Sequence, residues 1–501
     1  MNNVVLIAGA GPVGLVLAAE LRRFGVPVRV VEKEAKLAEH SRALFMWTRT
    51  LELLEPSGAT AALVAEGEKL HVSNIFAGSK LIGSVDFAGI ESQYPYALLL
   101  PQARTEQILT EHLAGLGVTV ERGAELAGFT ADANGVTATL HHPGGKSEAV
   151  RAFYLIGCDG GGSFVRKCLG LSSAASPHQS AWYLADVELR GGNFARTELN
   201  SFWHEDGFMA IFPVPGGRFR IIANAGRNAK DFTPGTPPLD KIQTILDQRG
   251  PGGVTAMNPV WTHAFQVEEY NVASYRAGRV FLAGDAAHVH NPVGAQGLNM
   301  GIHDSINLAW KLALAYRGVA NRELLLDSYT IERQAVAERV VANLGRAAQA
   351  ATVRNPTMQF ARNLLGNIYF GLAPGRRQVA ETISEVSFSY DHSPINGIED
   401  HALPAPGPGQ RVAVPAGQPP FGGGPVPRFA LLADPGARVE HLRQEFAALL
   451  EPELRPTLSP RCIWLVRPDG YVAAMCLRED IGIIEDYLRG YVPTAEDLAA
   501  L

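Results

Sequence analysis

The chain opens on a nearly all-apolar run from Val4 to Leu21 that is broken near its start by Gly9-Ala10-Gly11-Pro12-Val13-Gly14. Val4 to Ala8 reads as a short buried strand of a parallel sheet, and Val13 to about Phe24 as the helix that follows it. In such a turn the first glycine permits the tight bend and the second lets a diphosphate approach the backbone. The third lets helix and strand pack closely. The helix start offers unpaired N–H groups and a partial positive charge to phosphate. Val28 to Val31 forms the next strand and leads into Glu32, where a carboxylate can accept hydrogen bonds from ribose hydroxyls. Gly9, Gly11, Pro12, Val13, Gly14, Glu32 and Lys33 are therefore expected to hold a dinucleotide. The glycines and Pro12 argue against a transmembrane span, and the two asparagines ahead of the run argue against a signal peptide.

With 501 residues the chain is long enough for about three domains. Its mixture of 47% hydrophobic and 19% charged residues is that of a globular protein. The formal net charge of −6 has both signs scattered along the chain, so neither a nucleic acid nor a membrane is expected as partner. Four cysteines without CxxC or metal spacing imply free thiols in a cytoplasmic protein with no metal site. Segments at Leu98–Leu100, Val118–Glu121, Val136–His141 and Tyr154–Cys158 read as further strands, the middle two as a hairpin about Asn134-Gly135. From Ala181 to Gln266 alternating segments suggest an antiparallel sheet with one covered face. Long helices follow at about Ile302–Tyr316, Leu324–Arg346 and Met358–Phe370, then a Pro/Gly-rich crossing from Leu403 to Pro427 and a small α/β unit.

Three further segments bear on the ligand. They are Cys158-Asp159-Gly160-Gly161-Gly162-Ser163-Phe164-Val165-Arg166, then Gly284-Asp285-Ala286-Ala287-His288 running on through Asn291 to Asn299, and Arg42-Ala43. With the glycine turn they make the chain resemble the single-component flavoprotein aromatic hydroxylases, the family of para-hydroxybenzoate hydroxylase and phenol hydroxylase. The resemblance is nearest to the polyketide- and antibiotic-modifying branch. It implies an α/β fold with α+β elements: a Rossmann-like FAD-binding domain (1–180 with 268–393), an antiparallel-sheet substrate domain (181–267) and a thioredoxin-like C-terminal domain (394–501). It further implies that Asp285 meets a ribityl hydroxyl of FAD. Pro292, Gly294, Ala295, Gln296, Gly297, Leu298 and Asn299 would border the pyrimidine edge of the ring, where a helix N-terminus favours negative charge. Arg42, Gln102 and Arg104 would reach the phosphate and ribityl region, and Asp159 would bridge the flavin and a passing nicotinamide nucleotide. The segment Arg467-Pro468-Asp469-Gly470-Tyr471-Val472-Ala473 matches the C-terminal domain's turn and strand, and Cys462 and Cys476 are too far apart in sequence for a thioredoxin pair. Phe45-Met46-Trp47-Thr48, Ala295 and Met300 depart from the family pattern.

The resemblance implies an FAD-dependent monooxygenase that uses NAD(P)H and O2. A flavin C4a-hydroperoxide would hydroxylate a phenolic or polyketide-type aromatic ring, in a site that excludes water. His204 and His71 are the candidate bases. Phe45, Trp47, Trp203, Phe208, Met209 and Phe212, with Pro292, are the candidate substrate wall. Related flavin oxygenations (Baeyer–Villiger or epoxidation) and a non-catalytic flavin-binding protein are the alternatives. No Trp-x-Trp-x-Ile-Pro segment and no second GxGxxG occurs, which argues against halogenation and against a separate nicotinamide domain. A homodimer stays open.

Overall fold

A computed structural model describes residues 4–37, 43–171, 179–226, 232–398, 402–415 and 417–492. At its centre is a six-stranded sheet in the order Arg276–Ala277, Val280–Leu282, Tyr154–Gly157, Val5–Ala8, Val28–Glu32, Val120–Arg122. All strands but the first are mutually parallel, so their carboxyl ends share one edge. Val5 to Ala8 is buried on both faces, as expected of a strand covered by helices on either side. Helix Pro12–Arg23 packs on one side against helix Gly297–Tyr316, itself buried along almost its whole length.

The hairpin at Asn134-Gly135 joins Glu125–Asp132 to Gly135–His141. The expected partner, near Val118, instead lies in the parallel sheet as Val120–Arg122. Glu125–Asp132 mixes polar and small residues, and its alternation is too weak to declare a strand from sequence.

A second sheet has seven strands in the order Thr255–Glu268, Gln179–Arg190, Arg218–Asn224, Gly207–Val214, Glu198–His204, Val72–Ala77, Lys80–Asp86. It therefore extends beyond the 181–267 stretch and recruits two strands from early in the chain. Glu198–His204 pairs with Val72–Ala77 in parallel, a long-range register that no local pattern encodes. One face packs helix Leu239–Arg249 through Ile242, Ile245 and Leu246. The other face turns toward the parallel sheet's loops.

The C-terminal unit is a three-stranded antiparallel sheet, Ala430–Leu432, Cys462–Val466 and Val472–Leu477, with helices Ala437–Glu445 and Gly482–Arg489. Burial pushes the Cys476 thiol up to about 12, which makes it inert at neutral pH. The turn at Arg467–Gly470 is the plug that fixes this unit to the rest. Arg467, fully buried, donates to both oxygens of Glu332 (2.7 and 2.9 Å) and to Asp469. Glu332 also accepts from Lys311 at 2.7 Å and Asn307 at 2.6 Å. Burial alone would raise the Glu332 carboxyl, but Arg467 and Lys311 hold it far below the carboxylate range. Each charge here is tolerable only because it is paired. Arg467→Ala is expected to strand Glu332 and Asp469 and to cost about 3–5 kcal/mol, read as a lowered urea midpoint for the C-terminal unit. A wild-type midpoint would show that the pair adds nothing to docking.

Candidate functional site

Four segments meet where the parallel strands end. Gly9 follows Val5–Ala8 and donates to Val31 O (2.8 Å), while Cys158 N donates to Ala8 O (2.8 Å) and Ala283 N to Gly157 O (3.0 Å). A Cβ on Gly9 (φ +107°) would lie 2.2 Å from Cys158 O, and one on Gly14 would lie 2.0 Å from Gly9 O. Protein packing thus forces glycine at those two positions. Gly11 is different: a Cβ there would meet nothing within 4 Å. Its small size serves the open space in front of the helix, where a diphosphate would otherwise meet a side chain. No side chain caps that helix among the described residues, and its first turn carries no acid, so its amides face outward.

Glu32 accepts from Ala10 N (2.8 Å) and Glu34 N (2.9 Å), which fixes the carboxylate at the strand end with lone pairs still available. Lys33 beside it is exposed. Gln102 donates to Glu106 (2.8 Å), whose carboxyl is raised by burial, with Glu32 adding to the shift and Arg122 opposing it. These groups border one rim. Arg104 is not among them. Two residues along the helix from Gln102, it points to the other side and makes a bidentate surface pair with Glu66 (2.6 and 2.5 Å). Arg42 lies outside the described residues.

Asp159 is committed to its own loop. Its carboxylate accepts from Ser163 Oγ (2.6 Å), Phe164 N (2.7 Å) and Val165 N (3.1 Å), fastening the short helix Phe164–Cys168. That loop is tied to the Gly284-Asp285 turn by Arg166, which sequence reasoning quoted without giving it a role. Its guanidinium donates to Tyr270 OH (2.8 Å), Ala286 O (3.0 Å) and Gly161 O (2.7 Å). The Asp285 side chain itself is exposed at the strand edge. Gly284 (φ +62°) and Gly301 both press on Val13, where added Cβ atoms would come within 2.9 and 2.6 Å of its methyls, so this turn rests directly on the glycine-turn helix.

The Pro292–Leu298 stretch forms a half-buried turn at the start of helix Gly297–Tyr316, which has no side-chain cap among the described residues. Gly294 (φ +80°) and Ala295 (φ +53°) are both left-handed; for alanine this is strained. Asn299, fully buried, holds the turn. It accepts from Trp47 N (2.8 Å) and Thr50 Oγ (2.7 Å) and donates to Phe45 O (3.0 Å) and Ala295 O (2.9 Å). The Asn299 carboxamide therefore serves the protein. Trp47 donates its indole N–H to Gly294 O (3.0 Å).

Behind the turn lies a buried ionic chain. Asp304 accepts from Gly284 N (2.9 Å) and Arg333 (2.6 Å) and pairs with His288 (2.8 Å). Burial would raise its carboxyl, yet His288 and Arg333 prevail and hold it near about 2. His303 touches Thr50 Oγ (3.0 Å) and lies 3.3 Å from Glu385; burial pushes the imidazole well below and the carboxyl well above their usual ranges, so both sit neutral. His290 bonds the Asn291 carbonyl through Nδ1 (3.0 Å), which fixes the proton there. Its buried Nε2 has no partner among the described residues.

The facing sheet presents an aromatic surface. Phe45 meets Phe212 edge-on at 4.8 Å and stacks on Trp47 at 5.5 Å, while Trp182 meets Phe208 at 6.4 Å. Ala295 packs into the first group and Val293 into a second, around Trp182, Leu184 and Phe265. Trp203 pairs across from Phe208 and lies under Arg362. Met209 does not belong here. Strand alternation turns it with Phe202 and Ile211 onto the Leu239–Arg249 helix. The same alternation turns His204 away with Phe202, where its Nδ1 accepts from Asp206 N (3.1 Å). His71 packs edge-on against Tyr96 at 5.9 Å. Strand alternation takes His204 off the face that meets the turn. The face also carries a bidentate pair, buried Arg220 to half-buried Asp186 at 2.6 and 2.7 Å, in register with Phe212. Sequence reasoning missed it, although the i, i+2 spacing of Arg220 and Ile222 on an alternating strand was a usable signal.

Open space in front of an uncapped helix, an acid at the next strand end and a Gly-Asp turn on the same edge define a dinucleotide-binding flavoprotein fold. The chain matches the FAD binding domain family FAD_binding_3 over residues 2–344 and belongs to it. It is 35% identical to 6-methylpretetramide 4-monooxygenase of Streptomyces rimosus, over 99% of this chain and 94% of that protein. It is 32% identical to the aromatic compound monooxygenase YhjG of Bacillus subtilis (strain 168), with 94% of each covered. Among solved structures, the OxyS anhydrotetracycline hydroxylase of Streptomyces rimosus superposes with a TM-score of 0.77 at 29% identity, covering 98% of this chain and 99% of that one. CabE, an aromatic hydroxylase from angucycline biosynthesis, gives 0.76 at 29% identity, over 99% and 100% of the chains. The protein is an FAD-dependent monooxygenase.

Burial lowers the His290 pKa from 6.5 to about 4. A group depressed in the folded state stabilises above its unfolded pKa, and that stability is lost as pH falls from 6.5 toward 4. His290→Asn is expected to flatten this part of the stability–pH curve, by about 3 kcal/mol across the window. Urea titrations at stepped pH that give the wild-type slope for the variant would refute it.

Proposed function

We propose that the protein hydroxylates a flat, phenolic or polyketide-type aromatic substrate with NAD(P)H and O2. The observation that carries this reading is the Pro292–Leu298 turn. Its Val293 and Ala295 reach into two separate aromatic groups of the facing sheet, so anything bound along the turn is roofed by Trp182, Phe208, Phe212 and Phe45. The names of the relatives point to the same class of substrate. The layout we propose is the FAD-binding body (1–180 with 268–393), the substrate sheet (181–267, with 72–86 joined to it) and a thioredoxin-like unit (394–501).

In this reading the amides before helix Pro12–Arg23 neutralise the diphosphate, Glu32 holds the adenosine ribose, and Asp285 holds the ribityl chain. The amides opening helix Gly297–Tyr316 would favour negative charge on the ring, as helix N-termini do. FAD supplies hydride acceptance and oxygen activation; the protein's own contribution is orientation, charge and exclusion of water. The aromatic roof keeps water out and sets the substrate plane. The Arg220–Asp186 pair is the polar feature on that roof and would orient a substrate oxygen. A phenolic proton would have one acceptor near the turn, His290 Nε2, whose neutral form is enforced by burial.

Asp285→Ala is expected to purify with FAD weakly held, at least about tenfold in Kd, one good charge-assisted hydrogen bond being worth that much. An unchanged Kd by fluorescence titration would remove Asp285 from the cofactor. The activity is tested by incubating candidate polyphenols with NADPH and labelled O2 and weighing the products. One label in an intact ring is expected. A label with ring cleavage would indicate nucleophilic oxygenation, and NADPH consumption without labelled product for every aromatic offered would refute the substrate class.

A further inference from the structure

Among the described residues, seven of the seventeen exposed large apolar side chains lie in one short stretch, from Met358 to Leu372. Helix Pro356–Gly371 carries most of them; Phe360 is 70% exposed, Leu365 64% and Ile368 54%. Their spacing puts them on the outward side. The inward side of the same helix rests on strand Lys80–Asp86, with Phe370 so close to Gly83 that an added Cβ would come within 2.4 Å of its ring. An apolar stripe of this size on an otherwise polar surface marks a place where something docks.

The charge around it identifies the occupant. From Arg339 to Ala380 the chain has six arginines and no acid, although the whole protein is at −6. Outside this stretch 38 basic residues face 50 acidic ones. Arg339 pairs with Asp391 and Arg377 with Glu381. Arg346, Arg354, Arg362 and Arg376 have no carboxylate partner among the described residues; three of them bond only a neighbouring Asn or main-chain carbonyls. Arg354 precedes the apolar helix and Arg376 follows it, so uncompensated cations flank the stripe at both ends. A second copy docking antiparallel about a two-fold axis would set Arg354 of each copy near Arg376 of the other, which repels.

We propose that helix Pro356–Gly371 lies in the interface of an anionic lipid bilayer, apolar side down, with the flanking arginines on the headgroups. No helix of the described residues is long and apolar enough to cross a membrane, so this is attachment in the plane. The two terms act together: apolar burial supplies the depth and the arginines supply the preference for anionic lipid.

The test is co-sedimentation of the FAD-loaded full chain with vesicles of phosphatidylglycerol and phosphatidylcholine, or of phosphatidylcholine alone. Binding to the anionic vesicles, reduced by salt, is expected. Leu365→Ser with Ile368→Ser should weaken it on the order of tenfold per side chain. Arg354→Gln with Arg376→Gln should weaken it about fivefold per arginine. Leu365, Ile368 and Arg354 are exposed and Arg376 is half-buried; both variants are expected to keep wild-type FAD content and circular dichroism. Equal binding to neutral and anionic vesicles, or none to either, overturns the proposal. So does a dimer by light scattering that the Leu365/Ile368 variant splits while vesicles are ignored, since the stripe would then belong to a second copy.

Discussion

Everything in this protein hangs on helix Gly297–Tyr316, which is buried nearly all round and yet carries a polar residue at almost every turn. Asn299 grips the strand Phe45–Met46 and Thr50, Asp304 grips the Gly284 turn and Arg333, and Ser305 donates to Val13 O at 2.8 Å. Further along, Asn307 and Lys311 reach Glu332, and Trp310 donates to Asp469 at 3.1 Å. A purely apolar helix could slide or rotate among its neighbours at little cost. This one cannot, because any shift would leave several buried polar groups unsatisfied. The glycine-turn helix, the Gly-Asp turn, the aromatic sheet and the C-terminal unit are all registered against the same object. The arrangement converts a set of distant sequence motifs into one edge with fixed spacing.

That dependence explains what could be read from sequence. The glycine turn, Glu32 and the Gly-Asp turn were legible because each is a local pattern whose chemistry follows from residue type and spacing. Strand identities in the second sheet were legible where a short apolar run stands between turn residues, as in Met209 to Val214. Which face of a strand turns toward the Pro292–Leu298 stretch was not: Phe208 and Phe212 pack on that face, while Met209 and His204, their near neighbours in sequence, point to the opposite one. Arg104 failed for the helical counterpart of that reason, since two steps from Gln102 is most of the way round the helix. Recruitment of Val72–Asp86 into the sheet needs a parallel pairing across more than a hundred residues, which only the assembled structure settles.

The buried ion network was the least legible part. Lys311, Glu332, Arg467 and Asp469 look in sequence like ordinary surface charges on helices and a turn. Only burial reveals them as a connected system. In sequence the Arg467–Ala473 segment matches the turn and strand of a C-terminal domain; in the structure it inserts a cation and an anion into the body beside Trp310. A buried pair of this kind is weak evidence for added stability and stronger evidence for a fixed docking geometry.

The same logic accounts for the residues that depart from the family pattern near the ring turn. Ala295 adopts φ +53°, a conformation that costs an alanine about 1–2 kcal/mol relative to glycine. Such strain persists only where the surroundings over-determine it. Here the Ala295 carbonyl is held by Asn299, and the Gly294 carbonyl by the Trp47 indole. The Trp47 indole in turn packs against Phe45 and Phe87. Alanine where relatives carry glycine and Trp47 where they carry histidine thus act in one direction. They exchange a turn that could flex for one that is braced from both sides, and the brace is the wall on which the substrate's ring would lie.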